Sequence, residues 1–248
     1  MASDPLLLAL CSATHTASVA LLRGDELVAE GFADSGRHQA ESLLPLIDEV
    51  LGQGGCSLAQ VAGFALAIGP GSFTSLRVGL ATVKGLAFGG GPGGDRPVAA
   101  VSSLRAVAAG TGAGREPLAP IVATLDARRE EVYAAAFGGS EAGWPARGEL
   151  LMESVYTLEE LAERLPERCL VAGEGVALFG EQLRALRGPG IELATEDPGE
   201  PRAAVVGRLG AEMLAAGEGR PAAELVPRYV RRAEAEVTRT ASRFEDAP

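Results

Sequence analysis

The order of the apolar runs constrains this fold more than any single residue does. Three strand-length runs, residues 6–10, 17–22 and 26–32, open the chain, parted by Thr14-His15-Thr16 and by Arg23-Gly24-Asp25, the second a tight-turn sequence. A helical stripe follows, with Leu43, Leu44, Ile47, Val50 and Leu51 at three- and four-residue spacing and Gly52, Gly54 and Gly55 ending it. Pro45 lies inside that stripe and is expected to kink it or mark its first turn. A buried-type strand over 61–68 runs into Gly69-Pro70-Gly71-Ser72. A helix with Leu76, Leu80, Val83 and Leu86 on one face comes next, then a strand over 98–101 and a helix from 104 to 109. Three antiparallel strands, then helix, strand, helix, strand, helix, is the order of a ribonuclease-H-like lobe.

The second half repeats that order with little sequence similarity. Residues 121–125, 130–137 and 149–156 read as another meander, and 157–164 as a helix with Thr157 as N-cap and Glu160 completing a capping box. Residues 170–172 form a short strand, and 176–186 and 203–216 are helical by period and by Ala/Leu content. The expected division is a first lobe over 1–110, a second lobe over 111–232 and a flexible tail over 233–248. The glycine-proline run at 89–94 reads as a connector within the first lobe. It neither follows a strand nor opens a helix, so it is no phosphate cradle.

Composition narrows the chemistry. With 47% hydrophobic residues the chain can build a real core, and its net charge of −11 makes it a poor nucleic-acid binder by itself. Two histidines, His15 and His38, and three scattered cysteines, Cys11, Cys56 and Cys169, argue against a zinc site and a disulfide framework. No basic segment precedes the run at 6–10, and no stretch has the length of a membrane span, so a cytoplasmic protein is expected. Lys84 is the only lysine.

Residues 69–79 (Gly69-Pro70-Gly71-Ser72-Phe73-Thr74-Ser75-Leu76-Arg77-Val78-Gly79) form a strand end, a glycine-rich turn and a helix start. Ser72 or Thr74 can cap that helix, and the backbone N–H groups of the turn suit an anion. The segment is not a P-loop, since Lys84 lies deep in the helix, and no Gly-x-Ser-x-Gly elbow exists. Ser72, His38 and Asp48 form no recognisable hydrolase triad.

This segment, with Lys84-Gly85-Leu86-Ala87 behind it, resembles the GPGSFTG-LR-G…GLA signature of the bacterial TsaB (YeaZ) family. Residues 8–21 are similar to that family's opening hairpin and 38–51 to its H…LLP-I…L helix. Val101-Ser102-Ser103-Leu104 resembles its GVSSL, Asp126-Ala127-Arg128 with Glu131-Val132-Tyr133 its DAR-GEVY, and Pro227-Arg228-Tyr229-Val230-Arg231 its P-YLR. The resemblance implies an α/β fold of two ribonuclease-H-like lobes, in the actin-like ATPase (ASKHA) superfamily, with a degenerate active site. It implies a non-catalytic subunit without cofactor or metal. Such a subunit pairs with the catalytic paralogue TsaD and the ATPase TsaE to make N6-threonylcarbamoyladenosine at position 37 of tRNAs reading ANN codons, with TsaC supplying threonylcarbamoyl-AMP. It can form a homodimer when alone.

The residues bear on that implication. An active ATPase of this class has an acid at the first hairpin of each lobe. Cys11 stands there in the first lobe, beside Ser12, where even the family has Asp; Asp126 stands in the second, followed by Ala127-Arg128-Arg129 instead of a glycine-rich turn. The paralogue's metal-binding histidine pair maps to Ser103 and Val107. Ser75 replaces the signature's last glycine. The candidate partner face comprises His38, Leu43, Arg77, Gly79, Thr82, Lys84 and Leu86, on the helix pair over 40–51 and 74–88, with small residues that allow close helix approach. The segment 225–243 holds five arginines against two glutamates, a candidate contact with tRNA or a partner. The rival readings are an actin-like ATPase or kinase, a glycopeptidase-type hydrolase, and direct tRNA binding.

Overall fold

A computed structural model describes residues 4–34, 39–88, 96–113, 119–138, 149–195 and 199–230. The chain divides into two compact units, one formed by residues 1–106 with 201–227 and the other by 107–200 with 228–248.

The first unit holds a five-stranded sheet of β1 (Leu6–Cys11), β2 (Thr16–Arg23), β3 (Glu26–Asp34), β4 (Val61–Gly69) and β5 (Val98–Ser102), in the order β3-β2-β1-β4-β5. The β1–β2–β3 meander is antiparallel and β4 and β5 run parallel to β1. Gly24, at φ 62°, turns β2 into β3. β1 is apolar and buried throughout because both faces of the sheet are covered. On one face Leu8, Leu10 and Phe64 pack against Leu43, Ile47 and Val50 of α1 (Gln39–Gln53) and Leu80 and Val83 of α2 (Phe73–Phe88). α1 runs through Pro45, which sits in its second turn at an exposed position.

The other face of that sheet is covered by α6 (Ala203–Ala215), which packs on β1, β2, β4 and β5. Small residues make this possible. A Cβ on Gly210 would stand 2.3 Å from the Cβ of Ala65, and one on Gly207 would stand 2.2 Å from Leu22. The helix start is fixed by two residues far away in sequence: Ala203 N–H donates to Ser18 Oγ (2.9 Å) and Ala204 N–H to Glu30 Oε1 (3.0 Å). Glu30 Oε2 also pairs with Arg202 at 2.9 Å, and that guanidinium stacks over Phe32. Glu30 thus serves as a tertiary N-cap, where a carboxylate complements the helix dipole.

The sequence-based boundary at 111–232 therefore needs correction. Residues 201–227 belong to the first unit, and the break falls inside α3 (Ser103–Gly112). Period and Ala/Leu content marked 203–216 as helical, but they carry no information about which sheet the helix covers.

The second unit repeats the topology. β6 (Ile121–Asp126), β7 (Glu131–Phe137), β8 (Glu149–Thr157), β9 (Cys169–Ala172) and β10 (Ile191–Leu193) lie in the order β10-β9-β6-β7-β8. Read from β8, this is the first sheet's order, so both units are ribonuclease-H-like. The short edge strand β10 had no signal in the sequence reading. α4 (Leu158–Arg164) starts with the expected capping box, Glu160 N–H donating to Thr157 Oγ1 and Thr157 N–H to Glu160 Oε2. α5 (Gly175–Arg187) joins it over a core of Val122, Val132, Leu161, Val171, Leu183 and Ile191. The 89–94 run, His38 and the 233–248 tail lie outside the described residues.

Candidate functional site

β4 delivers the chain, buried, to Gly69 and Pro70, and α2 starts three residues later. What fills the interval is a set of contacts to the turn between β1 and β2. Ser72 N–H donates to the Ala13 carbonyl at 2.8 Å. Ser12 Oγ donates to the Ser75 carbonyl at 2.9 Å, and Ser75 Oγ to Ser72 Oγ at 2.9 Å. A Cβ on Gly71 would stand 2.3 Å from the Ala13 carbonyl oxygen, and one on Gly79 would stand 2.3 Å from Ser12 Oγ. The glycines at 71 and 79 therefore serve close approach. The signature is a seat for the first hairpin, and the Ser72 N–H that sequence analysis offered to an anion is already used. Phe73 and Thr74 remain exposed, with Arg77 stacked 3.8 Å from the Phe73 ring centroid. Ser75, where the signature has glycine, adds a hydroxyl contact rather than a clash.

Cys11 and Ser12, at the end of β1, have no exposed surface. A nucleotide phosphate at this hairpin needs donors that point outward. Here the Ser12 hydroxyl and Ser72 N–H are spent on the Ser75 and Ala13 carbonyls, so these two donors do not fit a Mg-nucleotide's phosphates. In the second unit Asp126 ends β6 and braces its own turn. Its Oδ1 accepts from Arg128 N–H (2.7 Å), and its Oδ2 lies 3.0 Å from the Arg128 guanidinium. That turn holds Arg128, Arg129 and Glu130 at φ 62°, 57° and 61°, left-handed backbone that costs roughly 1–2 kcal/mol per non-glycine residue. Burial, with the Asp126 charge adding to it, pushes the nearby Tyr133 phenol above its ordinary range.

The family model described as TsaD, tRNA N6-adenosine threonylcarbamoyltransferase, matches residues 33–166, more than half of the chain. A TsaB protein of Escherichia coli K12 is 34% identical over 177 residues, covering 69% of this chain and 70% of that protein. The chain belongs to the TsaB (YeaZ) family. A TsaB protein of Haemophilus influenzae is 42% identical over 128 residues, about half of each chain. Both are named tRNA threonylcarbamoyladenosine biosynthesis proteins. The solved structure of YeaZ from Pseudomonas aeruginosa superposes with a TM-score of 0.73 at 32% identity, over 91% of this chain and 99% of the other.

Ser103 and Val107, where the TsaD-type histidine pair would map, are both fully buried on α3. Among the described residues no group of three His, Cys, Asp or Glu side chains could hold a metal, and no helix is long and apolar enough to cross a membrane. The proposed TsaB partner-face residues separate. Leu43 and Gly79 are buried in the core of their own unit, and Leu86 packs against that core. Lys84 Nζ donates to the Ala223 carbonyl at 3.2 Å, and Thr82 Oγ1 to the Val78 carbonyl at 2.9 Å. Arg77 is exposed, as are Leu44, Phe73 and Phe88 of the same helix pair. His38 lies outside the described residues. Arg228, from the arginine-rich C-terminal segment, pairs with the buried Glu153 at 3.1 Å. Residues 231–243 of that segment lie outside the described residues.

Sequence reasoning missed Arg96. Its buried guanidinium donates to the carbonyls of Leu58 (2.6 Å), Val61 (3.3 Å) and Leu86, and stacks over Phe64. It clamps the C-terminal end of α2, where a cation complements the helix dipole, to the start of β4. A single arginine beside a glycine-rich run gives no sequence signal for that role.

Proposed function

We propose that this chain is a non-catalytic subunit that pairs with a TsaD-type catalytic subunit to form N6-threonylcarbamoyladenosine at position 37 of tRNAs reading ANN codons. Family membership supports the pathway. The observation that carries the finer reading is the sealed first hairpin: Ser12, Ala13, Ser72 and Ser75 satisfy one another, and Cys11 is buried where a catalytic acid would stand. What remains outward is surface. The partner face is assigned to the exposed side of α1 and α2, with Leu44, Phe73, Phe88 and Arg77 taking the place of the buried Leu43 and Gly79. A TsaE-type ATPase completes the set in the cytoplasm. The body's net charge of −11 leaves tRNA binding to the complex.

The test is reconstitution with the TsaD-type subunit, the TsaE-type ATPase, a threonylcarbamoyl-AMP source and tRNA, read by mass spectrometry of nucleosides. The isolated chain neither releases phosphate from Mg-ATP nor modifies tRNA, and its addition restores modification. Equal modification with and without it overturns the assignment. So does phosphate release by the chain alone that Asp126→Ala abolishes. Phe73→Ala together with Leu44→Ala lowers co-purification with the TsaD-type subunit while leaving the fold intact.

A further inference from the structure

β5 is an edge strand, and the chain itself shows how that edge pairs. Val98 N–H donates to the Arg220 carbonyl (2.9 Å) and Arg220 N–H to the Val98 carbonyl (3.0 Å), an antiparallel bridge that stays isolated. Strand geometry alternates, so residues two apart direct their backbone groups to the same side. The inner side is set by Phe64 N–H donating to the Pro97 carbonyl at 2.9 Å. Val98 and Ala100 therefore both face outward. Among the described residues Val98 has its bridge, whereas the outward side of Ala100 opens on a cavity of about 420 Å³. Ile68, Ala100, Met213, Gly217, Glu218 and Arg220 are among its lining residues. That volume falls in the range of small-ligand pockets, and Ile68 and Met213 give it an apolar side.

We propose that this edge receives an extended peptide segment of a partner protein. The peptide lies antiparallel to β5 and takes up the pairing that residue 220 begins. One of its residues exchanges both backbone hydrogen bonds with Ala100, as Arg220 does with Val98, and an aliphatic side chain enters between Ile68 and Met213. The occupant is assigned as extended main chain because the open groups are those of a strand edge, and because this edge already holds a backbone in that sense at Val98. All of these residues belong to the first unit.

The probe is acetyl-Thr-Leu-Thr-Leu-Thr-amide, titrated into the full-length isotope-labelled chain. Its counterpart N-methylated at alternate amides is the control. Saturable amide shifts at Ala100, Ser102 and Arg220 are expected, and at ten times the dissociation constant exchange of the Ala100 amide slows about tenfold. The N-methylated peptide leaves these signals unmoved. Ala100→Pro removes the outward donor at a position where an edge strand tolerates proline, and abolishes the response. Absence of saturable binding at millimolar peptide overturns the proposal. So do shifts confined to β3 or β8, or an equal response to the N-methylated peptide; these readouts use the unmodified chain and hold even if Ala100→Pro misfolds.

Discussion

Gly210 and Gly85 undergo the same chemical change with opposite expected results. Both are glycines inside helices, and replacing glycine by alanine in a helix interior gains about 1 kcal/mol of intrinsic propensity. At Gly85 on α2 the new methyl meets nothing within 4 Å and faces solvent, so that gain is realised. At Gly210 on α6 it arrives 2.3 Å from the Cβ of Ala65 and 3.3 Å from that of Ala99. Carbon atoms pack best at about 3.5–4.0 Å, so α6 must back off by more than about 1 Å. Neither obstacle is a flexible chain end, because both are Cβ atoms fixed to β4 and β5. Overpacking of this kind costs about 1–3 kcal/mol, and retreat also loosens Val206 and Leu209, each worth roughly 1.5–3 kcal/mol when fully buried. Gly210→Ala is expected to destabilise by about 1–2 kcal/mol and Gly85→Ala to stabilise by about 0.5–1 kcal/mol. At about 2–4 °C per kcal/mol for a chain of this size, calorimetric scans should show transitions moving in opposite directions by several degrees. A Gly210→Ala protein as stable as Gly85→Ala would refute the packing of α6 on the first sheet.

Further expectations follow from the same contacts. Gly71→Ala places a methyl against the Ala13 carbonyl, which is backbone and cannot turn aside. It should lower the urea midpoint by an amount equivalent to about 1–3 kcal/mol and speed exchange of the Ser72 amide. Glu30→Ala removes both the Arg202 partner and the acceptor for Ala204 N–H. A loss of about 1–2 kcal/mol is expected, with exchange rising first in the opening turn of α6. Burial pushes the Cys169 thiol up to about 11 from an ordinary 9.0, with Arg187 pulling the other way. Folding thus favours the protonated thiol. Its contribution is intact below pH 9 and is lost as pH rises through 11, so the fall in stability over that range is larger in wild type than in Cys169→Ala. Native alkylation at pH 8 should modify the partly exposed Cys56 and spare Cys169.

The elements that sequence reading recovered are those fixed by neighbours in the chain. The Gly24 turn and the Thr157–Glu160 capping box depend on residues a few positions apart, so their signals are local. α6 shows the opposite case. Residues 203–216 were legible as a helix, but the surface that its buried Ala203, Ala204, Val206, Gly207 and Gly210 meet includes Ala9, Ala65 and Ala99 on three separate strands. No window of sequence contains that surface. Leu43 and Leu44 illustrate a finer limit: both fit the helical spacing, yet Leu43 is 1% exposed and Leu44 is 52% exposed. Adjacent leucines cannot share a face, and only the packed sheet decides which one points inward.

The signature loop carries the strongest sequence resemblance, and its local reading left helix capping and anion binding both open. A glycine-rich strand-to-helix turn has two physical uses, admitting a ligand to backbone N–H groups or admitting another stretch of backbone. The choice between them is non-local, because it depends on whether something already occupies the concave side. Here the turn after β1 does, through the Ala13 carbonyl and the Ser12 hydroxyl. Displacing it in favour of a phosphate would break the Ser72 and Ser12 hydrogen bonds, each worth about 0.5–1.5 kcal/mol net. It would also leave the buried Ala13 carbonyl without its donor, at about 1–3 kcal/mol. A weak anion contact does not offset such a sum. The same kind of glycine that serves a phosphate site elsewhere therefore serves here to lock a hairpin.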